Sequence, residues 1–114
     1  MAVTAKFSDE CDIVATLTPK PGKLDRVVEL LTNLTSVVEK NEPGVQSFHL
    51  YKDFDAAVGN EQLVLVEKYA DKGAYDFHDT TPEFKAMHER FRKEELLACN
   101  ITIKSVKPLV GFER

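Results

Sequence analysis

The spacing of apolar residues along this chain switches repeatedly between a period of two and a period near 3.6, and the order of the switches restricts the fold. CDIVATLTP (11–19) sets Ile13, Val14, Ala15, Thr16 and Leu17 in a row, which reads as a strand covered on both faces. Pro19 and Pro21-Gly22 end it. From Lys23 to Lys40 the period lengthens. Leu24, Val27, Val28, Leu31, Leu34, Thr35 and Val38 form one helical face, with Asp25 and Lys40 placed to suit the helix dipole. Asn41-Glu42-Pro43-Gly44 stops that helix.

Alternation then returns. In VQSFHLYKD (45–53), Val45, Ser47, His49 and Tyr51 point one way, and Gln46, Phe48, Leu50 and Lys52 the other. DFDAAVGNE (53–61) is a hairpin-type link, tightest at Gly59-Asn60. QLVLVEKYA (62–70) puts Leu63, Leu65, Glu67 and Tyr69 on one face. A short helical turn (71–78) follows. A second helix starts where Thr80 or Thr81 can cap it and Pro82 or Glu83 suits the first turn. Its stripe is Phe84, Met87, His88 and Phe91, and it runs to about Leu97. NITIKSVKPLVGF (100–112) is the last strand, with Pro108 marking an edge or bulge.

The order β-α-β-β-α-β predicts an α+β, ferredoxin-like fold: a four-stranded antiparallel sheet with its helices on one face. The opposite face is left bare. It cannot be wholly polar, because the first and third strands are apolar on both sides. A bare, partly apolar sheet face predicts a partner, and a second copy, sheet against sheet, is the cheapest.

Composition narrows the class. The 114 residues fit one domain over 11–114, preceded by a loose polar segment, residues 1–10. Net charge is −4 and the charges are mixed; HERFRKEE reads as a solvated helix face, not a phosphate-binding stripe, so no nucleic-acid partner is expected. No apolar run approaches 18 residues and no secretory leader is evident, which predicts a cytoplasmic protein with no membrane partner. Cys11 and Cys99 read as two reduced thiols; a disulfide stays open because both precede predicted strands. No histidine pair stands at metal-ligand spacing, and there is no glycine-rich phosphate loop, so neither a metal nor a cofactor is expected.

TLTPKPGKLDRVVELL, NEPGVQSFHLYKD, LVLVEKYADKGAYDFHDTTPEFKAM and KPLVGF, taken in order, resemble the antibiotic biosynthesis monooxygenase family over roughly residues 12–112. The resemblance implies a homodimer with two sheets closed into a dimeric α/β-barrel, and a pocket in each subunit between helices and sheet. It further implies oxidation of small phenols, quinols or anthrones by O2 without metal or flavin. Related barrels isomerise small carbonyl compounds or degrade haem. The haem-degrading relatives use an asparagine, a tryptophan and a histidine where this chain offers Ala15, His78 and His88, so only His88 agrees.

His78 stands where many family members carry a pocket histidine, and an imidazole suits the removal of a proton from a phenol or an α-carbon. The plainer alternative is a loop histidine or a helix cap. His88, on an apolar stripe, reads first as a packed, hydrogen-bonded residue and second as a pocket wall. His49 reads first as solvent-facing; if its face lines the barrel or the dimer seam it could pair across it, and on that reading it joins the candidate substrate-binding residues. Tyr69 stands where many members have a tryptophan, and its hydroxyl could bind a substrate oxygen. Glu67 reads first as half of a surface ion pair with a lysine; buried beside a pocket it becomes a base with a raised pKa. Phe84, with Phe48, Phe77, Phe91 and Phe112, is core first and a wall for a flat substrate second. Three functions follow: a cofactor-independent monooxygenase, an isomerase on the same scaffold, or a ligand-binding dimer without catalysis.

Overall fold

A computed structural model of the protein describes residues 9–114. The N-terminal segment expected to be loose lies, through residue 8, outside the described residues. The elements are β1 (Cys11–Leu17), α1 (Leu24–Asn41), β2 (Val45–Lys52), β3 (Leu63–Tyr69), α2 (Lys72–Thr80), α3 (Pro82–Lys93) and β4 (Thr102–Val106). The sheet order is β2-β3-β1-β4, and every neighbouring pair is antiparallel. This is the expected α+β, ferredoxin-like arrangement.

The helical stripe of α1 is buried at Val27, Leu31, Leu34 and Val38. These side chains meet Ala15, Leu17, Leu63 and Leu65 from the sheet and Met87 and Phe91 from α3 in one core. Burying a side chain of this size contributes roughly 1.5–3 kcal/mol, which offsets the entropy of ordering it. Alternation in β3 is strict: Leu63, Leu65, Glu67 and Tyr69 are buried on the helix side. Val14 of β1, Val66 of β3 and His49 of β2 stand in register on the other side, which no helix of the fold covers.

Four sequence expectations change. The alternation of β2 is broken by a bulge between Val45 and Ser47, so Val45 packs on the core together with Phe48 and Leu50. The turn at 71–78 is a full helix, α2, because Asp71 caps it by accepting from the Ala74 N–H. The α3 helix stops at Lys93, earlier than about Leu97, where Glu95 turns into the left-handed region (φ 50°). Residues beyond it instead extend the β1 edge: Lys20 donates to Leu96, and Ala98 to Thr18. Last, β4 covers only Thr102–Val106, ending ahead of Pro108. Thr81 caps α3 as anticipated, accepting from Phe84 N–H ahead of Pro82.

The two cysteines are free: Cys11 is half-buried and Cys99 exposed. Among the described residues no helix is long and apolar enough to cross a membrane.

Candidate active site

A cavity of about 110 Å³ lies between the helix side of the sheet and the helices. Its floor is Ala15, Leu65 and Glu67; Phe84, Met87 and Phe91 of α3 form a wall. His78, His88, Tyr75 and Asp79 supply the remaining polar groups. The cavity draws together residues from most of the chain because the sheet is antiparallel and both α2 and α3 cross the same face.

His78 sits in the last turn of α2, a position that suits a basic ring at the negative end of a helix. It is buried, and its Nδ1 lies 2.9 Å from Oε1 of Glu42, itself buried. A carboxylate only accepts, so Nδ1 carries the hydrogen and donates. That leaves Nε2 as the ring's free acceptor. His78 also lines the cavity, and no hydrogen bond is made at Nε2. The ring is held between Phe84, Tyr69 and Phe48, at centroid distances of 4.9, 5.8 and 5.8 Å.

Glu42 comes from the loop after α1, where its backbone N–H still bonds Val38. Gly44 lets that loop approach α2: a Cβ there would stand 2.7 Å from Ala74 Cβ. Sequence reasoning missed Glu42. The signal was an acidic residue capping the negative end of a helix, against the dipole preference, and such local conflicts concentrate at functional positions. Tyr75 and Asp79 were missed as well, although Tyr75, His78 and Asp79 share one helical face by their spacing.

Glu67 is no surface ion pair. It is buried, and its Oε1 accepts the Tyr69 hydroxyl. Burial raises its pKa above the usual carboxylate range, while the Tyr69 hydroxyl and His78 pull the other way and do not cancel it. Tyr69 is itself fully buried; burial and the neighbouring Glu67 push its phenol well up, so it stays protonated. Tyr69 does not line the cavity and reaches it through Glu67. His88 is half-buried with its ring 4.4 Å from Phe84 and 5.7 Å from Phe91, and burial lowers its pKa, so it is neutral at physiological pH. His49 is exposed on the far face of the sheet, in register with Val66, away from the cavity. Phe77 and Phe112, expected in the core, are exposed. In α2 the inward face is taken by Tyr75 and His78, which leaves Phe77 outward.

The Glu67 shift has a measurable consequence. Its native pKa lies above its unperturbed value of 4.5, so from that pH upward the unfolded state binds fewer protons than the native state. Stability therefore falls as pH rises through the interval between the two values. Glu67→Gln removes the ionisation and keeps an acceptor for Tyr69. The variant is expected to gain stability relative to wild type as pH rises above 4.5, read by urea unfolding. A difference between the two proteins that stays flat with pH would refute the shift.

A sequence model of the antibiotic biosynthesis monooxygenase family matches residues 13–90 of this chain. The chain belongs to that family. The fold is similar to that of Rv0793 from Mycobacterium tuberculosis, with 26% identity and a TM-score of 0.77 over 91% of this chain and 99% of that one. It is equally similar to a Caulobacter crescentus protein, named only provisionally as an antibiotic biosynthesis monooxygenase, with 26% identity and a TM-score of 0.77 over 91% and 93% of the two chains. PA3566 from Pseudomonas aeruginosa shares the fold at 22% identity, with a TM-score of 0.75 over 91% and 98%. No curated protein matches the sequence significantly. Family membership supports a general monooxygenase-type activity. Among the described residues no group of three or more His, Cys, Asp or Glu side chains is arranged to hold a metal ion.

Proposed function

We propose that the protein is a cofactor-independent monooxygenase of small phenolic, quinol or anthrone-like compounds, with His78 as the base. The observation that carries the reading is the His78–Glu42 pair: a ring held at Nδ1 that lines an apolar, aromatic-walled cavity, with Nε2 left as the nitrogen to take a proton. Nε2 takes the proton of a substrate hydroxyl, and the low-dielectric wall raises the reactivity of the anion left behind. The anion passes an electron to O2, and the two radicals join at carbon. For a 1,4-hydroquinone the balance is one hydroquinone plus one O2 to one hydroxybenzoquinone plus one water. One oxygen atom is inserted, the other leaves as water, and the substrate supplies all four electrons. Tyr69 acts through Glu67, while Phe84 and His88 are walls for a flat ring.

A second reading has support in the same cavity. A carboxyl with a raised pKa (Glu67) and an imidazole acceptor (His78) line one space, an acid and a base as isomerisation of a small carbonyl compound requires. The bare sheet face, with Val14, Val66 and the 55% exposed Tyr51, supports a homodimer built sheet against sheet, which would place His49 in the seam.

Oxygen uptake with hydroquinones in metal-chelated buffer tests the first reading. His78→Ala is expected to lower protein-dependent uptake by roughly 10²–10⁴-fold, the usual contribution of a positioned base. Uptake unchanged by the substitution would remove His78 from the chemistry. Turnover of a carbonyl substrate under strict anaerobiosis would favour the isomerase.

A further inference from the structure

The shape and charge of the cavity narrow the substrate class, on the reading that this cavity is where the substrate binds. A cavity of 150 Å³ in a protein interior takes one benzene molecule. The space here is about 110 Å³ and is partly open, so it admits one six-membered ring with part of that ring at the opening. Three fused rings do not fit inside it.

The lining contains no lysine and no arginine, but it does contain the carboxyl groups of Glu67 and Asp79. Glu42 stands behind His78. A ligand carboxylate would enter an apolar space without a cation to pair with and with like charges at its border, which is costly. A hydroxyl group meets no such obstacle, because His78 Nε2 can accept its hydrogen. The rings of His78, Phe84 and His88 follow one another at 4.9 and 4.4 Å and offer a single ring both edges and faces.

Outside the cavity the surroundings are more polar. His88, Phe91 and Ile101 border the cavity and also a shallower outer basin of about 440 Å³. That basin is lined by charged groups of both signs, Lys20, Arg92 and Glu95, and by Asn100. The three shared residues lie between the two spaces, and polar or longer groups belong on the basin side.

We propose that, within the phenolic, quinol and anthrone-like range named above, the site selects the uncharged, single-ring hydroxyarenes of the phenol or 1,4-hydroquinone type, and rejects fused tricycles, anthrones included, and rings that bear a carboxylate within the cavity. Met87 sets the size limit. It is buried on the α3 wall, and Met87→Ala removes the side chain beyond Cβ from that wall.

The test is binding by the full-length chain under anaerobic conditions, followed by calorimetry and by the His and Phe side-chain NMR signals. The probes are phenol, 1,4-hydroquinone, 2-hydroxybenzoate, whose carboxylate lies beside the hydroxyl and so inside the cavity, 1,4-naphthohydroquinone and anthrone. Phenol and hydroquinone are expected to shift the signals of His78 and Phe84 and to bind at least about tenfold more tightly than 2-hydroxybenzoate, a difference of roughly 1.4 kcal/mol. Anthrone is expected to leave those signals unmoved, and naphthohydroquinone to bind Met87→Ala better than wild type. Anthrone shifting the same signals, or 2-hydroxybenzoate matching hydroquinone, would overturn the selectivity. So would failure of both single-ring probes to bind. Selective binding without oxygen uptake would overturn the monooxygenase reading and keep the selectivity. Uptake with anthrone would do the reverse.

Discussion

Glu42→Ala is expected to lower the stability of the protein by about 3 kcal/mol, although Glu42 lies in a loop and alanine suits the end of a helix better. The reason is burial. The side chains of His78 and Glu42 are only 2% and 3% exposed. Removing the carboxylate leaves the Nδ1–H of a buried ring without an acceptor. That costs roughly 1–3 kcal/mol for a neutral group and roughly 3–5 kcal/mol when a buried charged pair is broken. Relief of the unfavourable charge at the negative end of α1 returns less than about 1 kcal/mol. Glu42→Gln keeps an oxygen acceptor of the same reach and is expected to recover most of the loss. Function separates the two roles of the pair: Glu42→Gln folds, but its amide no longer fixes which ring nitrogen holds the hydrogen, so oxygen uptake should fall more than stability does. Urea unfolding of the three proteins, with uptake measured beside it, is the check. A Glu42→Ala variant within about 0.5 kcal/mol of wild type, the range of an ordinary surface substitution, would mean that the pair is not the anchor described.

The second large effect is expected on assembly. In the proposed sheet-against-sheet dimer, Val66→Glu should separate the two copies with the fold intact. Val66 is half-buried at the middle of the bare face, between Val14 and His49. Sealing that face against a second copy would bury the new carboxylate, and two-fold symmetry brings in two of them. A cost of about 2 kcal/mol per copy, the lower end for an unpaired buried polar group, would weaken the dimer roughly 10³-fold. The same side chain in the monomer faces water, so far-ultraviolet circular dichroism should be unchanged. Sedimentation at micromolar concentration decides. A wild-type protein that sediments as a monomer, or a Val66→Glu variant that remains dimeric, would rule out this face as the seam.

The fold was largely legible because its signals are local. Periodicity in 23–40 follows from the residues that line one face of a helix, and strict alternation in 62–70 predicted which side chains of β3 share a face. Thr81 and Pro82 announced the start of α3 by chemistry confined to a few residues. The misreadings share the opposite property. The bulge in β2 follows from how Val45 and Ser47 pair with β3, which the strand's own pattern does not encode. The early end of α3 depends on Leu96 and Ala98 finding partners at Lys20 and Thr18 across the chain.

The site divides along the same line. The sequence by itself marked His78, His88, Phe84 and Glu67 as chemically able, since residue type fixes what can titrate and what can stack. Only the tertiary structure separated His49 from them, by the pleat that sends it to the other face of the sheet. Only the tertiary structure set Glu67 in a dry environment beneath Tyr69 and brought Glu42 to His78 across 36 positions of chain. Apolar spacing acts between near neighbours and can be read in order along the chain. The dielectric around a carboxyl, and the partner of an imidazole, depend on what the rest of the fold packs against them.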